Sequence, residues 1–410
     1  MQEQNYSALS RNSLNNIIIC FWFLGIVCLL PEVYNIYNKS GNRYKIKIIK
    51  EEVFMEYKEL MDFLCTETEF DDLGNERILH DFPAFGEAVG KAINSGNLIK
   101  FTTELSDNLD KMDLYKASVL SNFIGFGCEK EDDTSAGQGV IELLEKSCIN
   151  LYNMFKSLET EDGYEELPDF QEIYNKNKDW ARAYFGFNTL CVTAMAFLTR
   201  DVELRKMLAD KDIGEEITYL TEETPESPYL KSIYYVDCMQ RTCSGLKLLV
   251  LYPEGKRGFI AEAGDINNCF HLIFLLEEEI ADNFGRKYGM NVFYADESIT
   301  DLAHGGYPDD CWGKSYVTHF TECNYSVMPS TVCGQDEIMN LVWGEMPPDC
   351  IPVVDGYHVI ILLDGGPARS FDVNFLAVPH NALDPYVEIE RELDSEEYVQ
   401  WEEKTSRIAR

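Results

Sequence analysis

Two short stretches combine residue types that could do covalent chemistry. Asp310-Cys311-Trp312-Gly313 sets a thiol at the head of a possible helix, and 47 residues later Gly356-Tyr357-His358-Val359 sets an imidazole at the start of an apolar run ending near Leu363. A cysteine at a helix N-terminus has its thiolate stabilised by the helix dipole, and a histidine on a neighbouring strand can serve as its base. Asp372 or Asn374, on the next segment, is the candidate group to orient that imidazole. The chemistry would be acyl transfer through a thioester, with Cys311, His358 and Asp372 as the catalytic set. Asp309 and Asp310 oppose it, because flanking carboxylates raise a thiol pKa unless they are offset.

Other constellations carry less. His304, Asp309, Asp310, Cys311, His319, Cys323 and Cys333 are all metal donors, but the chain contains no Cys-x-x-Cys and no His-x-x-x-His, so no metal is expected. Gly313-Lys314-Ser315 ends like a phosphate loop, yet Pro308 stands where the first glycine belongs and Asp309 and Asp310 would repel a triphosphate. No cofactor is expected. The runs Glu277-Glu278-Glu279 and Glu396-Glu397 read as solvated helix faces in a chain this rich in carboxylates.

The Asp310-Cys311 and Gly356-Tyr357-His358-Val359 elements resemble those of papain-like cysteine peptidases of the NlpC type, in which Asp-Cys precedes a helix and a Gly-x-His-Val strand follows. The resemblance covers about 60 of the 410 residues, and Trp312 stands where that family prefers a small side chain. It implies a hydrolase with Cys311 as nucleophile and His358 as base.

The elements that must position these residues fall into two groups. From Met55 to about Glu223 the apolar spacing is helical. Ile141, Leu144, Cys148, Leu151, Phe155 and Leu158 form one stripe, and Trp180, Tyr184, Phe187, Cys191, Ala194 and Leu198 form another, with Asp201 capping a following helix. Phe85 to Ile93 makes a third helix, closed by Gly96, and Asn97 can cap the next. This region is expected to be an all-helical domain, a bundle or an irregular α-solenoid, over 55–223. The twice-prolyl stretch 221–228 is the candidate boundary.

Residues 229–410 are expected to form a smaller α+β domain with a mainly antiparallel sheet. Leu246 to Tyr252 and Phe259 to Ala263 flank a Pro253-Glu254-Gly255-Lys256 turn as a hairpin. Helical spacing runs from Phe270 to Tyr288, and Tyr357 to Leu363 has the two-sided apolarity of a central strand. Alternation over Phe371, Val373, Phe375 and Ala377 suggests a second hairpin, and Asp394 to Arg410 a terminal helix. The irregular segment from Tyr294 to Pro352 is where a site is expected.

Charge bounds the partner. With 71 acidic against 35 basic residues the formal charge is -36, which excludes nucleic acid and anionic membranes as ready partners and favours basic proteins. Residues 1–54 stand apart, carrying +2 of that total, so the rest carries -38. They include an apolar run from Ile17 to Leu30, too short to span a bilayer. Two Glu codons and a Val codon before Met55 can form the purine run a bacterial ribosome recognises. We therefore expect synthesis to start at Met55, the alternative being a signal or anchor. The 11 cysteines from Met55 onward lack the spacing of a disulfide framework, Cys238 and Cys243 included, and suit a reducing cytoplasm. The first functional expectation is thus a cytoplasmic bacterial interaction protein that binds a basic partner, immunity- or antitoxin-like or part of a defence system. The alternative is the Cys311 hydrolase.

Overall fold

The computed structural model describes residues 57–159, 167–285, 295–324, 341–363 and 368–408. The leader 1–54, Cys333 and Tyr288 lie outside them. The fold is α+β: a helical region followed by a region built on a mainly antiparallel sheet.

The helical half runs α1 (57–65), α2 (Pro83–Asn94), α3 (Leu98–Ser106), α4 (Leu114–Glu131), α5 (Gly137–Lys156), α6 (Phe170–Lys176), α7 (Lys178–Leu198), α8 (Val202–Asp210), α9 (Gly214–Glu222) and α10 (Ile233–Gln240). Both long stripes read from the sequence face inward, on α5 and α7. Tyr115, Phe155, Tyr184, Phe187 and Phe197 fill the centre. The close approach of α4 and α7 needs Gly186, where a Cβ would lie 2.6 Å from that of Ser118. Asp201 caps α8 as expected, accepting from the Glu203 and Leu204 N–H groups. Asn97 precedes α3 but gives it no side-chain cap, donating instead to Ser95 Oγ. Asp113 caps α4, takes both donors of Thr68 and pairs with the buried Arg182 at 3.1 Å, which fastens the 66–70 segment to the bundle.

The helical core does not stop at the twice-prolyl stretch. Ile233, Val236 and Met239 of α10 belong to it, and the change of core falls within residues 241–245.

Beyond that point the sheet has the order β4-β6-β1-β2-β8, with β5 also on β6. Its strands are β1 (Leu246–Tyr252), β2 (Arg257–Gly264), β4 (Thr321–Asn324), β5 (Val353–Val354), β6 (Tyr357–Leu363) and β8 (Tyr386–Glu392). The β1–β2 hairpin closes at Tyr252 opposite Arg257 with Lys256 at φ 50°. Strand β6 is central, parallel to β1 and antiparallel to β4. Alternation sends Leu248, Val250, Ile360 and Leu362 to one face, under helix α11 (Cys269–Ile280), and Leu249, Leu251, Val359 and Ile361 to the other, under α13 (Ser395–Ile408).

The second hairpin is not formed. Strand β7 (Ser370–Asp372) pairs with β3 (Ser315–Val317) in a separate two-stranded sheet, and Val373–Leu376 is a short 3₁₀ turn. Asp372 causes the change, its side chain capping the Asn374 N–H and ending the extended run. Helix α12 (Glu297–Ala303) packs beside α11.

Candidate functional site

Cys311 is fully buried, in a turn rather than at a helix N-terminus. Gly313, at φ 78°, takes the left-handed conformation that stops any helix from starting there, and β3 follows at once. Its Sγ meets the Pro308 carbonyl oxygen at 3.4 Å, and burial, with Asp310 adding to it, raises the thiol pKa. His358 lies on β6, its Nδ1 2.6 Å from the Ile351 carbonyl oxygen. Asp372 is exposed on the small sheet, opposite Ser315. Among the described residues these three groups make no hydrogen bond to one another.

The metal donors disperse likewise. His304 and His319 each meet a different glutamate of α11, Cys323 faces the α13 side of the sheet, and no three such groups among the described residues converge on a metal position. Cys238 and Cys243 are both free thiols.

The glutamate triplet departs most from the sequence reading. Consecutive helical residues point about 100° apart, so Glu277, Glu278 and Glu279 leave the last turn of α11 in three directions and each meets a different element. Glu277, only 6% exposed, accepts from Tyr316 Oη (2.7 Å), the His319 N–H (2.7 Å) and the Phe320 N–H (3.0 Å), with His319 Nδ1 at 3.2 Å. Glu278 accepts from Thr300 Oγ1 and meets His304 Nε2 at 2.8 Å, both on the α12 side. Glu279 accepts the Ile389 N–H on β8. The triplet is a three-way clasp and not a solvated face. Glu396 and Glu397 do lie at the surface of α13, where Glu397 pairs with Arg391 and accepts the Asp394 N–H.

Behind Glu277 lies Glu322 on β4, fully buried. Burial and the neighbouring Glu277 charge push its pKa well above the usual carboxylate range, outweighing Arg369, whose Nη2 is 3.4 Å away. Burial also raises Glu277, but the hydrogen bonds from His319, the Phe320 N–H, Glu322 and Tyr316 outweigh it and its pKa is lowered. Two carboxyl groups in one low-dielectric site cannot both ionise. The proton therefore rests on Glu322 rather than on Glu277. Arg369 turns inward with them, over the Phe270 ring and bonded to the Val342 carbonyl oxygen.

This network fixes a surface at the other end of α11. Asn268 caps the helix by accepting the His271 N–H, and three consecutive residues then hold two pieces of chain. Asn268 Nδ2 donates to the Phe375 carbonyl (2.8 Å), the Cys269 N–H to Met346 (2.8 Å) and the Phe270 N–H to Gly344 (2.9 Å). Those bonds satisfy N–H groups that a helix start leaves open. They also present Trp343 (50% exposed), Met346 (43%) and Phe375 (37%) outward around one helix end. Gly344 lets the strap lie flat, since a Cβ there would sit 2.1 Å from the Phe270 ring. Glu345, Asp349 and Asp372, each within three residues of one of these apolar side chains in the chain, are exposed too. Aromatic and methionine side chains inside a charged rim are the composition of an interface core.

Sequence reasoning placed a site in the 294–352 segment but missed Trp343, Met346 and Phe375. The available signal was Trp343-Gly344, an aromatic next to a residue that permits close backbone approach, ahead of Pro347-Pro348. Comparison with family models, curated proteins and solved structures finds no match.

Proposed function

We propose that the protein binds a basic protein partner, which docks on the apolar surface of Trp343, Met346 and Phe375. The observation that carries this reading is that surface's setting: three large apolar side chains exposed together, with exposed Glu345, Asp349 and Asp372 close to them in the chain and Arg369 turned away from solvent. The apolar centre supplies affinity and the carboxylates select against acidic partners. Elsewhere many cations are spent internally, as in Arg182 with Asp113, Arg205 with Asp265 and Arg257 with Glu392. The net charge of -36 thus favours encounter with a basic partner.

Neutralisation of a basic toxin or a place in a defence assembly suits this chemistry. Among the described residues ten cysteines are unpaired, which accords with an encounter in the cytoplasm.

The test is capture of partners from native-host extract by the full chain and by a Trp343→Ala/Met346→Ala variant, at low and raised salt. A stoichiometric basic partner that the variant loses, and that raised salt weakens, supports the reading. A partner held equally by the variant, or an acidic one, overturns it.

A further inference from the structure

A cleft of about 680 Å³ opens where the two halves meet, away from the apolar surface. One wall is the junction of α7 and α8 with the end of α4, carrying Arg200, Arg205 and Asp132, and the other is the end of β2 and the start of β8, carrying Glu262, Asp265 and Tyr386. Clefts between domains lined by a few converging polar groups are the usual place for small ligands.

Arg205 is only 7% exposed. Its Nη1 donates to the Leu198 carbonyl oxygen, and its Nη2 donates to Ser244 Oγ and to Asp265 Oδ1 (2.9 Å). Its Nε has no hydrogen-bond partner. Arg205 lines the cleft, and its enclosed guanidinium holds that wall positive beside the single carboxylate of Asp265. Arg200 beside it is only loosely neutralised, by Asp132 at 3.5 Å and Glu129 at 3.9 Å, and Asp132 is itself 88% exposed.

The opposite wall has the opposite character. Glu262 accepts from Tyr386 Oη at 2.8 Å, and its charge is left for a donor from the cleft. Three carboxylates in the lining disfavour a phosphate dianion, and two guanidinium groups disfavour a polycation. A ligand with one carboxylate and one ammonium satisfies both walls.

We infer that this cleft binds a zwitterion of the amino-acid or short-peptide class, its carboxylate on Arg200 beside Arg205 and its ammonium on Glu262. Calorimetric titration of the full chain tests this with L-leucine, L-arginine and alanyl-alanine, and with the N-acetylated and C-amidated form of each. At least one free zwitterion binds saturably. Blocking either end weakens it about tenfold or more, the loss of a charge-assisted hydrogen bond. Glu262→Gln weakens the free ligand similarly but leaves binding of the N-acetylated form unchanged, while Arg200→Gln does the same toward the amide. Unchanged melting temperatures establish that each variant folds, and Glu262→Gln suffices if Arg200→Gln does not. The inference is overturned if no zwitterion saturates the protein, if blocked forms bind as well as free ones, or if only inorganic phosphate or spermidine binds.

Discussion

Glu279 Oε1 accepts the backbone N–H of Ile389 at 3.2 Å, so a side chain of α11 reaches the edge strand of the sheet. The contact falls beside the register shift that leaves Glu390 without a partner on β2. Bulges and edges expose backbone groups that a protein must satisfy by other means. Glu279→Ala should lower the unfolding free energy by about 1–3 kcal/mol, the desolvation penalty of a stranded N–H. Glu279→Gln, which keeps an acceptor oxygen, should recover most of that in urea unfolding. Equal losses in both variants would show that the bond contributes nothing.

The two buried carboxyls predict an asymmetry. Glu322 is a neutral acid, so Glu322→Gln replaces one uncharged polar side chain with another of the same size and should cost no more than about 1 kcal/mol at neutral pH. Glu277 is the ionised acceptor, and Glu277→Ala strands Tyr316 Oη and the His319 and Phe320 N–H groups at a cost of about 3–5 kcal/mol. Guanidinium unfolding of both variants decides it, and a reversed order would move the proton to Glu277.

Acid should destabilise the protein through His271. Its ring is buried, Nε2 lies 2.7 Å from the Ala303 carbonyl oxygen, and burial pushes its pKa down to about 4. The unfolded chain, with an ordinary value near 6.5, takes up the proton first. This contribution is complete above pH ~6.5 and is lost as the pH falls toward 4, to a limit of about 3 kcal/mol. His304 acts in the opposite sense, because its hydrogen bond to Glu278 raises its pKa, so that contribution is present below pH ~6.5 and lost as the pH rises through the raised value. Half-exposed as it is, His304 counts for less. Melting temperature against pH should fall on acidification in the native chain and fall less in His271→Gln; parallel curves would refute the assignment.

Gly344→Ala offers a test of the partner surface that removes no exposed side chain. The added methyl meets the Phe270 ring within 2.1–2.3 Å, so the strap must lift, at about 1–3 kcal/mol. Partner affinity should drop along with stability. Binding that survives intact would mean that the position of Trp343 is immaterial.

Where one element's own pattern settled its fate, the sequence was legible. The stripes of α5 and α7, the Asp201 cap, the β1–β2 hairpin and the two-faced strand β6 all follow from local spacing. It was illegible where the answer depended on what lay opposite. Glu277 is indistinguishable in sequence from a solvated acid, and only the arrival of Tyr316, His319 and Phe320 makes it a buried acceptor. The exposure of Trp343 was hidden for the same reason, since aromatic residues are more often interior and only the strap over Phe270 turns it outward.

The clasp also bears on the order in which the chain can assemble. Three carboxylates at the C-terminal turn oppose the helix dipole, so α11 is poorly stabilised on its own. The donors that Glu277 and Glu279 bind come from later chain: Tyr316, His319 and Phe320 first, then Ile389, which is 110 residues beyond Glu279. During synthesis the helical half can close while α11 is still without them. The sheet half is sealed only when the last strand leaves the ribosome, so truncation before β8 should leave a folded bundle joined to an unlatched helix.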